Sequence, residues 1–401
     1  MDILVHPGAL KGSYQAIPSK SHAHRVLICA AFSNAPTRIF CSQTNEDIEA
    51  TADCLRALGA SIRRCKYGYR VHPIRKLPQI AALDCRESGS TLRFMLPVVG
   101  ALGIDATFQM SGRLPQRPLS PLWEEMERMG CFLERPTGTT VRCSGRLMCG
   151  NYTIAGNVSS QFITGLLLAL SLMDGKSTLN ITGKVESKPY IDITKKVLKD
   201  FGVSVSQEIS GAFPFQTPGD IQIEGDWSNA AFFLGANALT SQLTISGLDP
   251  ESPQGDRTVC EYLDKLVGGF AKLSAADVPD LVPILAVCAA ALNGAEFTDI
   301  GRLRMKESDR VATVCNMLRA LGADCTATEN TLTVYPAQFR GGTVDSAGDH
   351  RIAMSAAIAA TVSNSDVTIL NAECVKKSYP AFWDEFRRLG GNYEQHIRTN
   401  A

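Results

Sequence analysis

The sequence predicts an α/β (α+β) protein of two domains, and three observations carry that prediction. Six amphipathic segments each end on a glycine, and successive glycines stand 71, 72, 67, 53 and 68 residues apart. A more apolar segment precedes each of the six at a similar offset and opens near a good helix-capping residue. Short alternating stretches of strand formers lie between them. Six βαβ-like units of roughly 70 residues follow, which favours α/β layers over a solenoid.

Taken in order, the amphipathic helices are expected over 48–59, 122–130, 191–202, 259–269, 311–322 and 381–390. Each closes at a glycine suited to the left-handed position after a helix. The apolar helices begin near Ser21, Ser90, Ser159, Ser228, Asp280 and Asp349. Strands are expected over 61–64, 140–143, 152–154, 178–182, 242–246, 331–335 and 367–371. The 53-residue interval is short by the length of a hairpin, so the fourth unit reads as truncated after Gly269. Six units suggest three per domain. Strand-like residues meet Pro18 and Gly225, which sets the chain crossings at 16–19 and 223–226. One domain is then discontinuous, 1–18 with 225–401, and the other is 19–224.

The chemistry is expected at the helix starts. Apolar helices open with Lys20, Ser21 and Arg25, with Ser88-Gly89-Ser90-Thr91 and Arg93, with Ser159-Ser160-Gln161, and with Asp349-His350-Arg351. Amphipathic ones open with Asp47, with Arg113 and Arg117-Pro118, with Ser187-Lys188-Pro189-Tyr190, with Lys306-Glu307-Ser308-Asp309-Arg310, and with Lys376-Lys377-Ser378-Tyr379-Pro380. Bases are misplaced at the positive end of a helix, so their repeated use there calls for an anionic ligand. Arranged on one face of each domain, with the two faces opposed across a cleft, they suit a substrate with several phosphates or carboxylates.

Composition excludes other classes. Lys+Arg and Asp+Glu both number 40, so no long-range field favours nucleic acid or an anionic membrane. The longest uncharged apolar runs, 162–173 and 281–292, fall short of the ~20 residues of a membrane span. Residues 1–12 lack the basic start and apolar core of a secretion signal. Thirteen scattered cysteines, an odd number without a C-x-x-C pair, read as reduced thiols in the cytoplasm and not as a metal site.

Pro18-Ser-Lys-Ser-His-Ala-His-Arg25, Glu87-Ser-Gly-Ser-Thr-Leu-Arg93, Arg117-Pro118, Ser159-Ser-Gln-Phe162, Ser187-Lys-Pro-Tyr-Ile-Asp-Ile-Thr194, Arg304-Met-Lys-Glu-Ser-Asp-Arg310, Asp349-His-Arg351 and Lys377-Ser-Tyr-Pro380 together resemble the 5-enolpyruvylshikimate-3-phosphate synthase family. The resemblance spans 18–380. It implies the two-domain enolpyruvyl transferase fold, an inside-out α/β barrel with three βαβαββ-like repeats per domain and the active site in the cleft between them. It implies a transferase of the shikimate pathway, on the way to chorismate and the aromatic amino acids. The enolpyruvyl group of phosphoenolpyruvate would pass to the 5-hydroxyl of shikimate 3-phosphate, releasing phosphate through a tetrahedral ketal.

Residue by residue, the resemblance implies Lys20, Asp280 and Glu307 as catalytic, Asp280 as base for the 5-hydroxyl and Glu307 as acid at carbon-3 of the enol. Shikimate 3-phosphate would be held by Lys20, Ser21, Arg25, Ser159, Ser160, Gln161, Ser187, Tyr190, Asp280 and Lys306. Phosphoenolpyruvate would be held by Lys20, Gly89, Arg117, Gln161, Arg310, Arg351 and Lys377. No metal or organic cofactor, no nucleic acid and no membrane is implied, and a monomer is expected. Glu87, Phe94 and Arg302 depart from the family, which commonly has Asn, Pro and Asn there. Two alternatives stand beside this reading. A UDP-N-acetylglucosamine enolpyruvyl transferase typically carries a loop Cys just before the Arg-Pro, and 111–117 has none. A non-catalytic anion-binding homologue would not need Lys20, Asp280, Glu307 and Lys377 together.

Overall fold

The computed structural model describes residues 1–206, 208–211 and 213–396. It divides into two units, residues 18–224 and residues 1–17 with 225–401. Each has its own apolar core.

In residues 18–224 the helices are α1 (Lys20–Ala31), α2 (Glu46–Ala57), α3 (Gly89–Leu102), α4 (Leu122–Arg128), α5 (Ser160–Leu170) and α6 (Lys188–Asp200). The other unit carries α7 (Trp227–Leu239), α8 (Val259–Gly268), α9 (Val282–Ala291), α10 (Arg310–Ala320), α11 (His350–Ala360) and α12 (Phe382–Arg388). Odd-numbered helices are buried along most of their length, as their apolar composition requires, and even-numbered ones keep a polar face in solvent. Gly59, Gly130, Gly202, Gly269, Gly322 and Gly390 follow the even-numbered helices with φ between +79° and +152°.

Four helix starts differ from expectation, the first because Ser19, two residues before Ser21, caps α1 through the His22 amide at 3.4 Å. Ser88, not Ser90, caps α3, its hydroxyl accepting the Thr91 amide at 3.2 Å. Asp226, not Ser228, caps α7 through the Asn229 amide at 2.8 Å. Asp280 caps nothing: Pro279 starts a 3₁₀ turn, Pro279–Leu281, and α9 follows with Pro283 in its first turn and no side-chain cap. A proline there removes an amide that a cap would otherwise have to satisfy.

One rule builds the sheets. Strands on either side of α3, α5, α9 and α11 pair in parallel, and the hairpins after α2, α4 and α10 add antiparallel strands. Strands 80–84 and 105–109 flank α3, and 140–145 and 131–134 complete that sheet. The sheet around α9 repeats this with 271–274, 295–298, 331–334 and 325–327. Two parallel pairs are exchanged along the chain: 37–40 takes 220–222, and 242–246 takes 11–15. The chain therefore passes from one unit to the other next to each exchange. Among the described residues the sheet of 242–246 holds only those two strands, and the missing hairpin accounts for the 53-residue interval. In the sheet of 342–345 and 367–370, strands 2–6 and 392–396 stand in the place of a hairpin.

Candidate active site

In residues 18–224 the starts of α1, α3, α5 and α6 carry the predicted residues. Lys20 Nζ lies 2.8 Å from Asp47 Oδ2 on α2. Arg25 is buried, and four of its N–H groups are spent on protein. Nε donates to Thr194 Oγ1 at 2.7 Å, Nη1 to the Ser21 carbonyl at 2.5 Å, and Nη2 to Thr164 Oγ1 and the Tyr190 carbonyl at 3.2 and 3.0 Å. Its guanidinium also stands 5.0 Å from the Phe94 ring centroid. Arg25 thus ties α1 to α5 and α6, with the Phe94 ring of α3 against its guanidinium. Ser187 holds a left-handed conformation at φ +54° as α6 begins, and its carbonyl accepts the Tyr190 amide at 3.1 Å.

Gly89, Arg117 and Gln161 come together through Arg93. Its Nη1 donates to Gln161 Oε1 at 3.3 Å and to the Gly89 carbonyl at 3.4 Å, and its Nη2 to the Pro118 carbonyl at 3.0 Å. Gln161 Nε2 donates in turn to Ser90 Oγ at 3.0 Å. The close approach of α5 to α3 needs Gly165, because a methyl there would run into the Arg93 carbonyl. A methyl on Gly89 would stand 2.6 Å from Arg93 Nη1 and 2.8 Å from Arg117 Nη1, so a larger residue pushes first on the arginines. Ser159 caps α5 through the Gln161 amide at 3.3 Å, with Ser160 next to it.

In the other unit Asp280, Lys306, Glu307, Arg310 and Arg351 form one cluster. Arg310, fully buried, reaches Asp280 Oδ1 at 2.8 Å, Glu307 Oε2 at 2.7 Å and Asp349 Oδ2 at 2.9 Å. Arg351 Nη2 donates to Asp280 Oδ2 at 3.0 Å and Ser228 Oγ at 2.7 Å. Lys306 Nζ lies 3.4 Å from Asp280 Oδ1. Burial pushes the Asp280 carboxyl up, but Arg351, Lys306 and Arg310 outweigh it and hold it well below the usual carboxylate range. Burial lowers Lys306, with Asp280 opposing. Burial works against Arg310 too, yet Asp349, Glu307 and Asp280 keep it charged. Lys377 ends the 3₁₀ turn Ala372–Lys377, which packs on α11, and is buried.

Asp349, Arg93, Thr164 and Thr194 hold this machinery, although none of them had been assigned to catalysis or to either substrate. Asp349, expected at a helix start, is the cap there, accepting the Arg351 amide at 3.0 Å. Arg302 donates to the Ala276 carbonyl at 2.7 Å. Among the described residues no helix is long and apolar enough to cross a membrane. All thirteen cysteines are free thiols. A hollow lined by Leu239, Leu292, Phe339 and Val362 lies at the far, C-terminal ends of α7, α9 and α11 and offers no ionisable group.

Solved structures share this architecture. An EPSP synthase from Acinetobacter baumannii superposes with a TM-score of 0.80 at 23% identity, over 98% of this chain and 100% of that one. The enolpyruvyl transferase NikO from Streptomyces tendae does so with a TM-score of 0.74 at 18% identity, over 98% of each. The fold is therefore that of the enolpyruvyl transferases. Residues 5–275 and 267–386 match the model of EPSP synthase (3-phosphoshikimate 1-carboxyvinyltransferase). A 3-phosphoshikimate 1-carboxyvinyltransferase of Clostridium botulinum (strain Eklund 17B / Type B) is 37% identical over 424 residues, 98% of each chain. One from Clostridium kluyveri is 37% identical over 421 residues, again 98% of each. The chain belongs to the EPSP synthase family.

Proposed function

We propose that this chain transfers the enolpyruvyl group of phosphoenolpyruvate to the 5-hydroxyl of shikimate 3-phosphate and releases phosphate. The observation that carries the mechanism is the grip of Arg310, Arg351 and Lys306 on Asp280. A carboxylate so neutralised is a poor base. Phosphoenolpyruvate brings its own carboxylate and phosphate, and Arg310, Arg351 and Lys377 are the groups proposed to receive it. Each arginine that turns to the substrate loosens its hold on Asp280 and raises the proton affinity of that carboxylate. Base strength then appears only when the second substrate is present.

The ring 5-hydroxyl gives its proton to Asp280 as its oxygen bonds to carbon-2 of the enol. Glu307 delivers a proton to carbon-3, which makes a methyl ketal. The carbon–oxygen bond to phosphate then breaks, carbon-3 loses a proton, and the enol ether and inorganic phosphate remain. Lys20, Arg117 and the cations of the second cluster stabilise the leaving phosphate. Ser21, Arg25, Ser159, Ser160, Gln161, Ser187, Tyr190 and Lys306 hold shikimate 3-phosphate, while Gly89, Arg117 and Gln161 join the binding of phosphoenolpyruvate. The scheme calls on no metal or organic cofactor. The same reading makes the protein a cytoplasmic monomer with small-molecule partners only, and a formal net charge of zero supplies no field for nucleic acid or an anionic membrane. Phosphate release is measured with both substrates and with each omitted. Release that needs both supports the reading; release with UDP-N-acetylglucosamine in place of shikimate 3-phosphate, or none at all, refutes it.

A further inference from the structure

Glu87 lies in the turn between strand 80–84 and α3, two residues before Gly89. Its side chain turns toward another loop. Oε1 accepts the backbone N–H of Arg113 at 3.3 Å. The carboxylate also covers Gly112 so closely that a methyl on that residue would coincide with it. Gly112 itself sits at φ +55°. The two segments are further joined by the Ser111 amide, which donates to the Arg86 carbonyl at 2.8 Å. Beyond them, buried Leu114 anchors the short 3₁₀ turn Leu114–Gln116, and Arg117 follows at once. Arg117 Nη1 comes back to the start of α3, 2.8 Å from where a Gly89 Cβ would stand.

A carboxylate beside an anion-binding helix start opposes the ligand electrostatically. Glu87 therefore needs a compensating role, and the geometry supplies one. We propose that Glu87 is a positioning residue for Arg117, its acceptor oxygen and its bulk over Gly112 holding loop 111–117 so that the guanidinium stays at the start of α3. The proposal rests on the phosphoenolpyruvate reading of Arg117. A competing explanation is charge alone, since an acid favours a helix N-terminus. Glutamine separates the two, because it keeps the acceptor and the bulk and loses the charge.

The test compares Glu87→Ala, Glu87→Gln and Gly112→Ala in the full chain. Glu87→Ala and Gly112→Ala raise KM for phosphoenolpyruvate about tenfold to a hundredfold, the scale of a misplaced positioning group, and lower kcat as well because Arg117 also steadies the leaving phosphate, while KM for shikimate 3-phosphate stays within about threefold. Glu87→Gln matches wild type in all three. Tryptic cleavage after Arg113 reads the loop without any turnover, and it speeds up about tenfold in the first two variants and not in Glu87→Gln as local opening becomes easier. Unchanged KM or unchanged cleavage in Glu87→Ala overturns the proposal, and so does Glu87→Gln behaving like Glu87→Ala. A wild type that releases no phosphate refutes the function instead, and the cleavage rates still decide whether Glu87 holds the loop.

Discussion

Asp280 accepts from Arg310 and Arg351 with Lys306 close by, and it is one-fifth exposed, at 20%. Its environment favours the charged form, which serves binding of cations better than removal of a proton. Asp280→Asn removes the base and also removes the group that neutralises the cations. Turnover is expected to fall by about 10²–10⁴, the usual worth of a positioned proton acceptor. Binding of phosphoenolpyruvate is expected to hold or tighten, because Arg310 and Arg351 lose a competitor. Steady-state kcat and a calorimetric dissociation constant check both halves. Turnover within about threefold of wild type would remove Asp280 from the mechanism.

At this scale the sequence was informative where short motifs keep neighbours together. Lys306, Glu307 and Arg310 meet because they share one helix start, and Gly89 meets Arg93 for the same reason. Thr164 and Thr194 were not legible. They reach Arg25 only because α5 and α6 pack on α1, and although Thr194 closes the motif that begins at Ser187, nothing local to either threonine points to Arg25. Asp349 shows a further limit: as a cap it looks like Asp309, whose oxygen accepts the Ala312 amide at 3.1 Å, yet Asp349 is fully buried and also takes Arg310. Burial, not spacing, separates the two roles.

Among elements, α1 carries the clearest cost of placing polar groups in a core. His24 Nδ1 lies 2.7 Å from Thr51 Oγ1, and His22 Nδ1 accepts the Glu224 amide at 3.2 Å. Burial, with Lys196 and Arg25 adding to it, lowers His22 from 6.5 to about 3. Burial also lowers His24 from 6.5 to about 3, with Asp47 opposing and Lys20 and Arg25 adding. Both rings are thus neutral when folded, and below pH 6.5 the unfolded chain binds protons that the folded one does not. Their contribution is complete above pH 6.5 and is lost as the pH falls toward 3. Each ring costs about 1.4 kcal/mol per pH unit in that window. Urea unfolding at pH 7.5 and at pH 5.5 is expected to show a loss of roughly 2–3 kcal/mol at the lower pH. A midpoint that stays level or rises would contradict the buried neutral rings.

Elements were the most legible level of the chain. Among the described residues, period and, for the amphipathic ones, closing glycines located the twelve α-helices, because an apolar or amphipathic stripe is a local property. Caps were less so. Ser88 and Ser90, or Asp226 and Ser228, are equally good capping residues two positions apart, and only the path of the incoming strand selects between them.

For the whole molecule, six repeats give each unit three buried helices whose starts carry the polar groups, and internal carboxylates face the cations of the Asp280 cluster and Lys20, while Arg25 and Arg93 donate to neutral acceptors. Lys20 faces Asp47, while Arg310 faces Asp280, Glu307 and Asp349. Such clusters are expected to exchange their internal carboxylates for those of anionic substrates. The strand exchange of 11–15 with 220–222 was not legible, because each strand could as well have paired beside its own helix. The missing hairpin was legible as a length.

The central claim is addition of the 5-hydroxyl to the enol followed by loss of phosphate. Run in deuterium oxide, that sequence puts a solvent deuteron on carbon-3 and then removes one of three hydrogens from the resulting methyl group. Mass and proton spectra of the isolated enol ether measure it most directly. Deuterium in the vinyl methylene of the product, with one phosphate released per ether formed, is the predicted result. Product carrying no deuterium there, at any extent of reaction, would contradict the account.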